Sequence, residues 1–352
     1  MNSTLVEMLT AAGEQTRTSM GTAAGVPELR ESDAWRRVLL VNNLGAVPGD
    51  QARGDIVANR GFNFVVLDEH GRPAFFCKCR PRSAAYEGPS TFAARLSRVP
   101  ELADLVPLTW SVHTDIMDME VSRYLRGDLL ERRVAVMGTP ALGAAFIDIL
   151  AAAATISSHA ARLEPRLLDG APDVALIDAA EWIMEALVDA GVESPRISTL
   201  ARALTMAGRV PRALQHGDLW PRNALLAAGH WHILDFEQYG RVQIPLYDVL
   251  HLVMTSWHAR RGPRRGWSTW LDDLTRANAE SDVYRAALRR SGQQAALTPL
   301  QAGGALVYYF ADIAARMCRR GVIASYTAPY LLEVRRLAEW IDDGGEPQSL
   351  FQ

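Results

Sequence analysis

The chain changes its hydrophobic period once. Up to about residue 123, apolar and polar positions alternate in short runs, and from Thr139 onward apolar positions recur three and four residues apart. In the first part, VLLVNN (38–43) reads as a strand, and IVANRGFNFVVL (56–67) as two β-type runs around Asn59, Arg60 and Gly61. DEHGRP (68–73) carries turn residues, and AFFCKCR (74–80) returns as a strand with Lys78 on the face opposite Cys77 and Cys79. A short helix is predicted over 90–99, then strands over 106–112 and 116–122, with 123–130 as a linker. Ahead of these, 2–20 has a helical face of Leu5, Met8 and Leu9, and 21–35 reads as a connection. In the second part, helices are predicted over 140–163, 173–190, 197–207, 247–260, 267–291, 298–320 and 325–342. The pattern therefore predicts an α+β chain. It has an N-terminal helical extension (1–36), a small lobe with an antiparallel sheet (37–123) and a larger, mostly helical lobe (124–352).

One stretch, 215–252, breaks the helical pattern with polar clusters delivered by short apolar runs. His216, Asp218 and Asn223 stand in an H-x-D-x-x-x-x-N arrangement, and Asp235 follows a short hairpin, after Ile233 and Leu234. Asp218 and Asn223 bracket a tight loop, so both side chains can turn toward one point. One carboxylate to take or orient a hydroxyl proton, with an Asn and a second Asp to hold Mg²⁺, is a minimal kit for moving a phosphoryl group. In the same hairpin, His230 and His232 can share a strand face; with no third ligand nearby they read as hairpin residues rather than a zinc site.

Composition narrows the classes. Hydrophobic residues make up 49% and charged residues 22%, ordinary for a globular chain, and a net charge of −3 does not suit a nucleic-acid binder. Three cysteines (Cys77, Cys79, Cys318) do not make a disulfide framework, which suits a reducing cytoplasm. The first twenty residues lack a basic leader and an apolar core, so no signal peptide is expected. The longest apolar run, 141–156, is interrupted by Asp148 and is shorter than a bilayer requires, so no membrane association is expected. Lysine and arginine total 37, and Lys78 is the one lysine, leaving 37 − 1 = 36 arginines. A chain that uses arginine almost everywhere keeps lysine where a compact ammonium is needed.

Together these residues resemble the aminoglycoside phosphotransferase and choline kinase family, relatives of the protein kinases. HGDLWPRN (216–223) is similar to that family's catalytic loop, with Arg222 where Gly is commonly seen. LDFE (234–237) resembles its metal-binding strand end, PLYDVLH (245–251) the following helix start, and FFCK (75–78) the lysine strand. The resemblance spans about 55–255 and implies a two-lobed protein-kinase-like fold. It implies Asp218 as catalytic base, Asn223 and Asp235 as magnesium ligands, and Lys78 on the α- and β-phosphates. The turn with Asn59 and Gly61 would lie over the phosphates, and Glu87 is a candidate ion-pair partner for Lys78. The segment 119–124, with Val121 and Arg123, would be the adenine-binding hinge, while His216 and Asp248 would support the loop.

The expected activity is transfer of the γ-phosphoryl of ATP, or GTP, to a hydroxyl of a small molecule such as an antibiotic, nucleoside, sugar or amino alcohol. The alternative is a nucleotide-binding pseudokinase acting as an interaction module; the joint presence of Asp218, Asn223, Asp235 and Lys78 weighs against it. A protein kinase would carry H-R-D-L, D-F-G and A-P-E signatures, which this chain lacks. Eight arginines against four acids over 256–291 point to a neutral or anionic acceptor. A monomer or homodimer is expected.

Overall fold

A computed structural model describes residues 38–43, 62–67, 70, 72–81, 89–113, 117–168, 170–261, 270–276, 278–319 and 324–352. The predicted helix over 2–20, the phosphate turn with Asn59 and Gly61, Glu87 and Trp267 lie outside the described residues. The chain divides into two compact units, residues 1–126 and 127–352.

The first unit is built on a five-stranded antiparallel sheet in the order β1-β2-β3-β5-β4. Its strands are β1 (Val38–Asn43), β2 (Phe62–Leu67), β3 (Pro73–Pro81), β4 (Thr109–His113) and β5 (Met117–Arg123), with helix α1 (Pro89–Leu96) between β3 and β4. Side chains directly opposite one another across paired strands share a face. One row reads Cys77, Val121 and Trp110; Cys77 and Val121 are fully buried. The neighbouring row, on the opposite face, reads Asn63, Lys78, Glu120 and Ser111. Period-two alternation therefore sends the lone lysine to a polar row and its cysteine neighbour into the core. Helix α1 turns Phe92, Ala93 and Leu96 inward and packs on β4 and β5. Ser97, just past its end, donates to Thr109 O (3.2 Å) and accepts from Thr109 N (3.1 Å), which pins the helix to β4.

The second unit opens where a linker was expected. Asp128–Leu129 forms β6 and pairs with Leu226 and Leu225, and Leu130–Val134 forms helix α2. Gly127 precedes them because a Cβ there would sit 2.2 Å from the Leu226 carbonyl oxygen. Helix α3 (Thr139–Leu163) follows. At 25 residues it is long and apolar enough to meet the length and composition of a membrane span, which the run 141–156 alone is not. Leu142, Phe146, Ile149 and Ile156 are buried against the rest of the unit.

Strand β7 (Asp173–Ala175) and helices α4 (Leu176–Ala179) and α5 (Glu181–Asp189) replace the single helix expected over 173–190. Helix α6 (Ser194–Ala207) begins three residues earlier than its apolar stripe, with Pro195 in its first turn. Strand β8 (Arg209–Pro211) pairs with β7. The hairpin β9 (Ala224–Ala227) and β10 (His230–Ile233) joins β6 in a three-stranded sheet. The remaining helices are α7 (Tyr247–Arg261), α8 (Trp270–Thr275), α9 (Ala279–Gln294), α10 (Pro299–Arg319) and α11 (Ala324–Asp342). Helix α10 is the axis of this unit: residues 302–315 are buried throughout, and α5, α6, α7 and α11 pack around it. A helix apolar on all sides occupies the centre of a core.

Candidate active site

The loop between β8 and β9 is shaped by what lies beneath it. Gly217 has φ +78°, and a Cβ there would come within 2.7 Å of the Gln238 carbonyl oxygen, so both conformation and space require glycine. Asp248, in the first turn of α7, accepts from the His216 amide (2.6 Å) and the Gly217 amide (2.9 Å). Burial pushes the Asp248 carboxyl above its ordinary range, opposed by the charge of His216, these two amides and His251. The His216 ring is buried, with Nε2 2.9 Å from the Leu234 carbonyl and Phe236 packed at 5.2 Å. Tyr239 donates to Ser157 of α3 (3.0 Å), and Ser157 donates to Leu214 O (3.1 Å), which ties the loop to the long helix.

On this base the loop presents Asp218, whose side chain is 41% exposed. Asn223 closes the loop by donating from Nδ2 to the Asp218 carbonyl (2.8 Å) and carboxylate (3.3 Å). That leaves the amide oxygen of Asn223 as its acceptor end. The Leu234 amide donates to Asn223 O (2.9 Å), so the hairpin brings Asp235 to the same end as Asn223. Asp235 itself is in the left-handed region (φ 64°, ψ 74°), a conformation that Asp tolerates better than most residues. A carboxylate and an amide oxygen are hard donors that suit Mg²⁺, which takes one or two protein ligands and completes its shell with phosphate oxygens and water. Among the described residues no three His, Cys, Asp or Glu side chains cluster as metal ligands.

Arg222 is held away from this centre. Its Nε lies 2.5 Å from Glu131 of α2, and its guanidinium stacks on Trp220 at 4.9 Å. Arg222 therefore links the loop to α2.

Two residues that sequence reasoning missed stand behind Asp218. His251, one turn after Asp248 on α7, has Nε2 3.5 Å from Asp218 Oδ1 and Nδ1 3.0 Å from the Tyr309 hydroxyl. Burial holds the Tyr309 phenol far above its ordinary pKa, with Tyr330, Asp312, Asp218 and Glu333 adding to the effect, so it stays protonated. Below it, Asp312 accepts from Tyr247 (2.6 Å) and Arg316 (2.6 Å) within α10 and α7. The signal for His251 was its i+3 spacing from Asp248; Tyr309 lies 58 residues further on and had none.

The other predicted residues belong to the first unit. Lys78 is half-buried on β3, between Asn63 and Glu120 in register. Val121 has its side chain on the packed face, opposite Lys78, and its backbone lies between Cys77 and Trp110. Arg123 is exposed, and its amide is taken by Leu108 O (2.8 Å). The ladder ends at Tyr124, whose amide reaches Ala74 O (2.8 Å), so backbone beyond the ladder begins at Leu125. Five of the eight arginines over 256–291 have partners within the second unit. Arg260 binds Val134 O, Met137 O and Glu280, while Arg261 and Arg276 bind Asp273. Arg285 binds Asp282, and Arg289 binds Gln352 O. Arg260 and Arg261 thereby tie α7 to neighbouring elements, while the Arg276 and Arg285 pairs are local.

The fold is shared with solved small-molecule kinases. A choline kinase from Cryptosporidium parvum matches with a TM-score of 0.55 at 9% identity, over 97% of this chain and 99% of that one. An ethanolamine kinase from Plasmodium vivax matches at 0.53 and 11%, over 88% and 84%. An aminoglycoside 2′-phosphotransferase IIIa variant matches at 0.50 and 15%, over 93% and 98%. At these identities the likeness shows a protein-kinase-like fold. No curated protein matches the chain by sequence. The model of the phosphotransferase enzyme family matches residues 56–289, about two-thirds of the chain, a span that contains Lys78 and the whole loop from His216 to His251. The chain belongs to that phosphotransferase enzyme family.

Proposed function

We propose that the protein transfers the γ-phosphoryl of ATP, or GTP, to a hydroxyl of a small molecule in a Mg²⁺-dependent reaction in the cytoplasm. The observation that carries this reading is Asp218. It is a half-exposed carboxylate held by Asn223 and backed by His251, at the hairpin end that also presents Asp235. In the reaction the acceptor oxygen bonds to the γ-phosphorus, the bond to the β,γ-bridging oxygen breaks, and the nucleoside diphosphate leaves. Asp218 orients the hydroxyl and takes its proton. Asn223 and Asp235 supply oxygens to the magnesium ion, which when bound offsets charge on the phosphates. Lys78 contributes an ammonium toward the α- and β-phosphates. Residues 37–123 are assigned to nucleotide binding, and 124–352 to catalysis and the acceptor.

Steady-state assays with ATP and a library of alcohols test the reading. Asp218→Asn should keep the fold and Mg-ATP affinity while lowering kcat by about two orders of magnitude or more. Near-normal turnover in that variant would remove the role assigned to Asp218. Nucleotide binding without turnover in the wild-type protein would favour an interaction module instead.

A further inference from the structure

Two buried side chains behind Asp218 have no step of their own in the transfer. His251 of α7 is 6% exposed, and Tyr309 of α10 is fully buried. The imidazole has Nε2 3.5 Å from Asp218 Oδ1 and Nδ1 3.0 Å from the Tyr309 hydroxyl oxygen. Two aromatic neighbours hold the ring: it stacks on Tyr247 at 6.4 Å and meets Tyr309 edge-on at 6.0 Å. Tyr247 is fixed in turn by its hydrogen bond to Asp312 of α10 (2.6 Å). A further neighbour of the Tyr309 hydroxyl is Met254 Sδ at 3.6 Å, a weak acceptor. The carboxylates near the ring are Asp218 from the loop and Asp248, one turn back on α7.

Donor and acceptor roles along this row decide where the imidazole carries its hydrogen. Burial keeps Tyr309 protonated, so its O–H is a donor. If it donates to Nδ1, the neutral ring carries its hydrogen on Nε2. If it turns to Met254 instead, Nδ1–H donates to the phenol oxygen, and Nε2 can face a carboxylate only as part of an imidazolium. Either way an N–H points at Asp218. The neutral form with its hydrogen on Nδ1 would set a lone pair against the carboxylate. We infer that His251 is a positioning residue for the catalytic base: its Nε2–H holds Asp218 Oδ1 while Asn223 holds Oδ2, and Tyr309 locks the ring in the form that does so. A carboxylate held at both oxygens keeps one orientation about its last bond and aims its remaining lone pairs at the acceptor hydroxyl. At 3.5 Å the contact is longer than a full hydrogen bond, and catalytic contacts often tighten in the substrate complex. The inference rests on the phosphotransferase reading and extends it from the loop to α7 and α10.

Two measurements on the full chain test it. The first needs no turnover. Long-range proton–nitrogen NMR of protein labelled at its histidines reports which ring nitrogen carries hydrogen, and the signals lost in His251→Gln are those of His251. Hydrogen on Nε2 is expected, and Asp218→Asn should shift that resonance. A neutral ring with its hydrogen on Nδ1, or a His251 spectrum unmoved by Asp218→Asn, overturns the inference. The second measurement is release of ADP from Mg-ATP with water as the acceptor, a probe that does not require the natural alcohol. His251→Leu should lower kcat at least about tenfold, with the KM for Mg-ATP within about twofold of wild type. His251→Gln, whose side-chain amide can still donate toward Asp218, should recover most of the loss, and Tyr309→Phe should fall between. Tyr309→Phe removes a single oxygen and keeps the kinetic test open where His251→Leu does not fold. In an Asp218→Asn background, His251→Leu should cost nothing further, because it acts through that carboxylate. Near-wild-type kcat in His251→Leu, equal losses in the Gln and Leu variants, or a further loss in the Asp218→Asn background each overturn the inference. A wild type that binds no Mg-ATP by calorimetry would sink the phosphotransferase reading instead, while the NMR still decides the contact between His251 and Asp218.

Discussion

Lys78 is the residue at which composition and geometry meet. One lysine among 36 arginines (37 − 1) occupies the polar row of β3, between Asn63 and Glu120, while Cys77 on one side of it is fully buried. A strand position with neighbours on both sides leaves little room for a planar guanidinium, and an ammonium is a compact point charge. Lys78→Arg should therefore weaken Mg-ATP binding, lower kcat, or both, with little change in the Tm of the apo protein. Arg265→Lys, measured beside it, should be nearly silent. Wild-type kinetics in Lys78→Arg would show that the compositional argument was mistaken. Asp235 makes a complementary case. It holds a left-handed backbone at a hairpin end, and strain of that kind is kept where a side chain has to point one way. Asp235→Ala should lower the affinity for Mg-ATP by at least about tenfold while leaving metal-free nucleotide binding much less changed. Isothermal calorimetry with and without magnesium separates the two.

At the scale of elements, the site is a loop strapped onto the start of a helix. Asp248 takes two consecutive amides of the loop, and its own amide donates to Gln215 (3.0 Å). Asp248→Ala would leave those amides buried without acceptors, at a cost of about 2–4 kcal/mol in the unfolding of the second unit. Any folded fraction should show reduced kcat, because Gly217 then loses the anchor that aims Asp218. Chemical denaturation and kinetics at low temperature check both parts; stability equal to wild type would mean that the strap is dispensable. The same elements show what could be read without coordinates. The loop was legible because Asp218, Asn223 and Asp235 act through local spacing, and α7, α10 and α11 begin within a residue or two of their apolar stripes. The helix expected over 267–291 is instead two, α8 and α9, because Asn278 caps the second by accepting from the Ser281 amide (2.9 Å). The linker over 123–130 became β6 and α2 because strand β9, about a hundred residues on, offered it a pairing edge. His251, Tyr309 and Glu333 come together only through the packing of α7, α10 and α11, and no window of sequence contains them.

At the scale of the molecule, two buried groups of the second unit, among the described residues, pull the pH dependence of stability in opposite directions. Burial depresses His258 to about 3 and raises Glu333 to about 8. His258 is neutral in the fold and takes a proton when unfolded below its ordinary value of 6.5, so stability is lost as pH falls from 6.5 toward 3. Glu333 keeps its proton in the fold and releases it when unfolded above its ordinary value of 4.5, so stability is lost as pH rises from 4.5 through 8. Asp248, also raised by burial, acts in the same direction as Glu333. Between 4.5 and 6.5 the two slopes offset, which predicts a plateau there, with declines on both sides. Glu333→Gln removes one slope selectively. For a group this deeply buried the slope is on the order of 1 kcal/mol per pH unit. The variant should melt well above wild type at pH 8, the gap should narrow as pH falls, and it should vanish near the ordinary carboxyl value of 4.5. Trp270 lies beside Glu333 in the core, so tryptophan fluorescence follows the relevant transition. A gap that stays constant from pH 5 to pH 8 would mean that Glu333 is already ionised in the fold over that range.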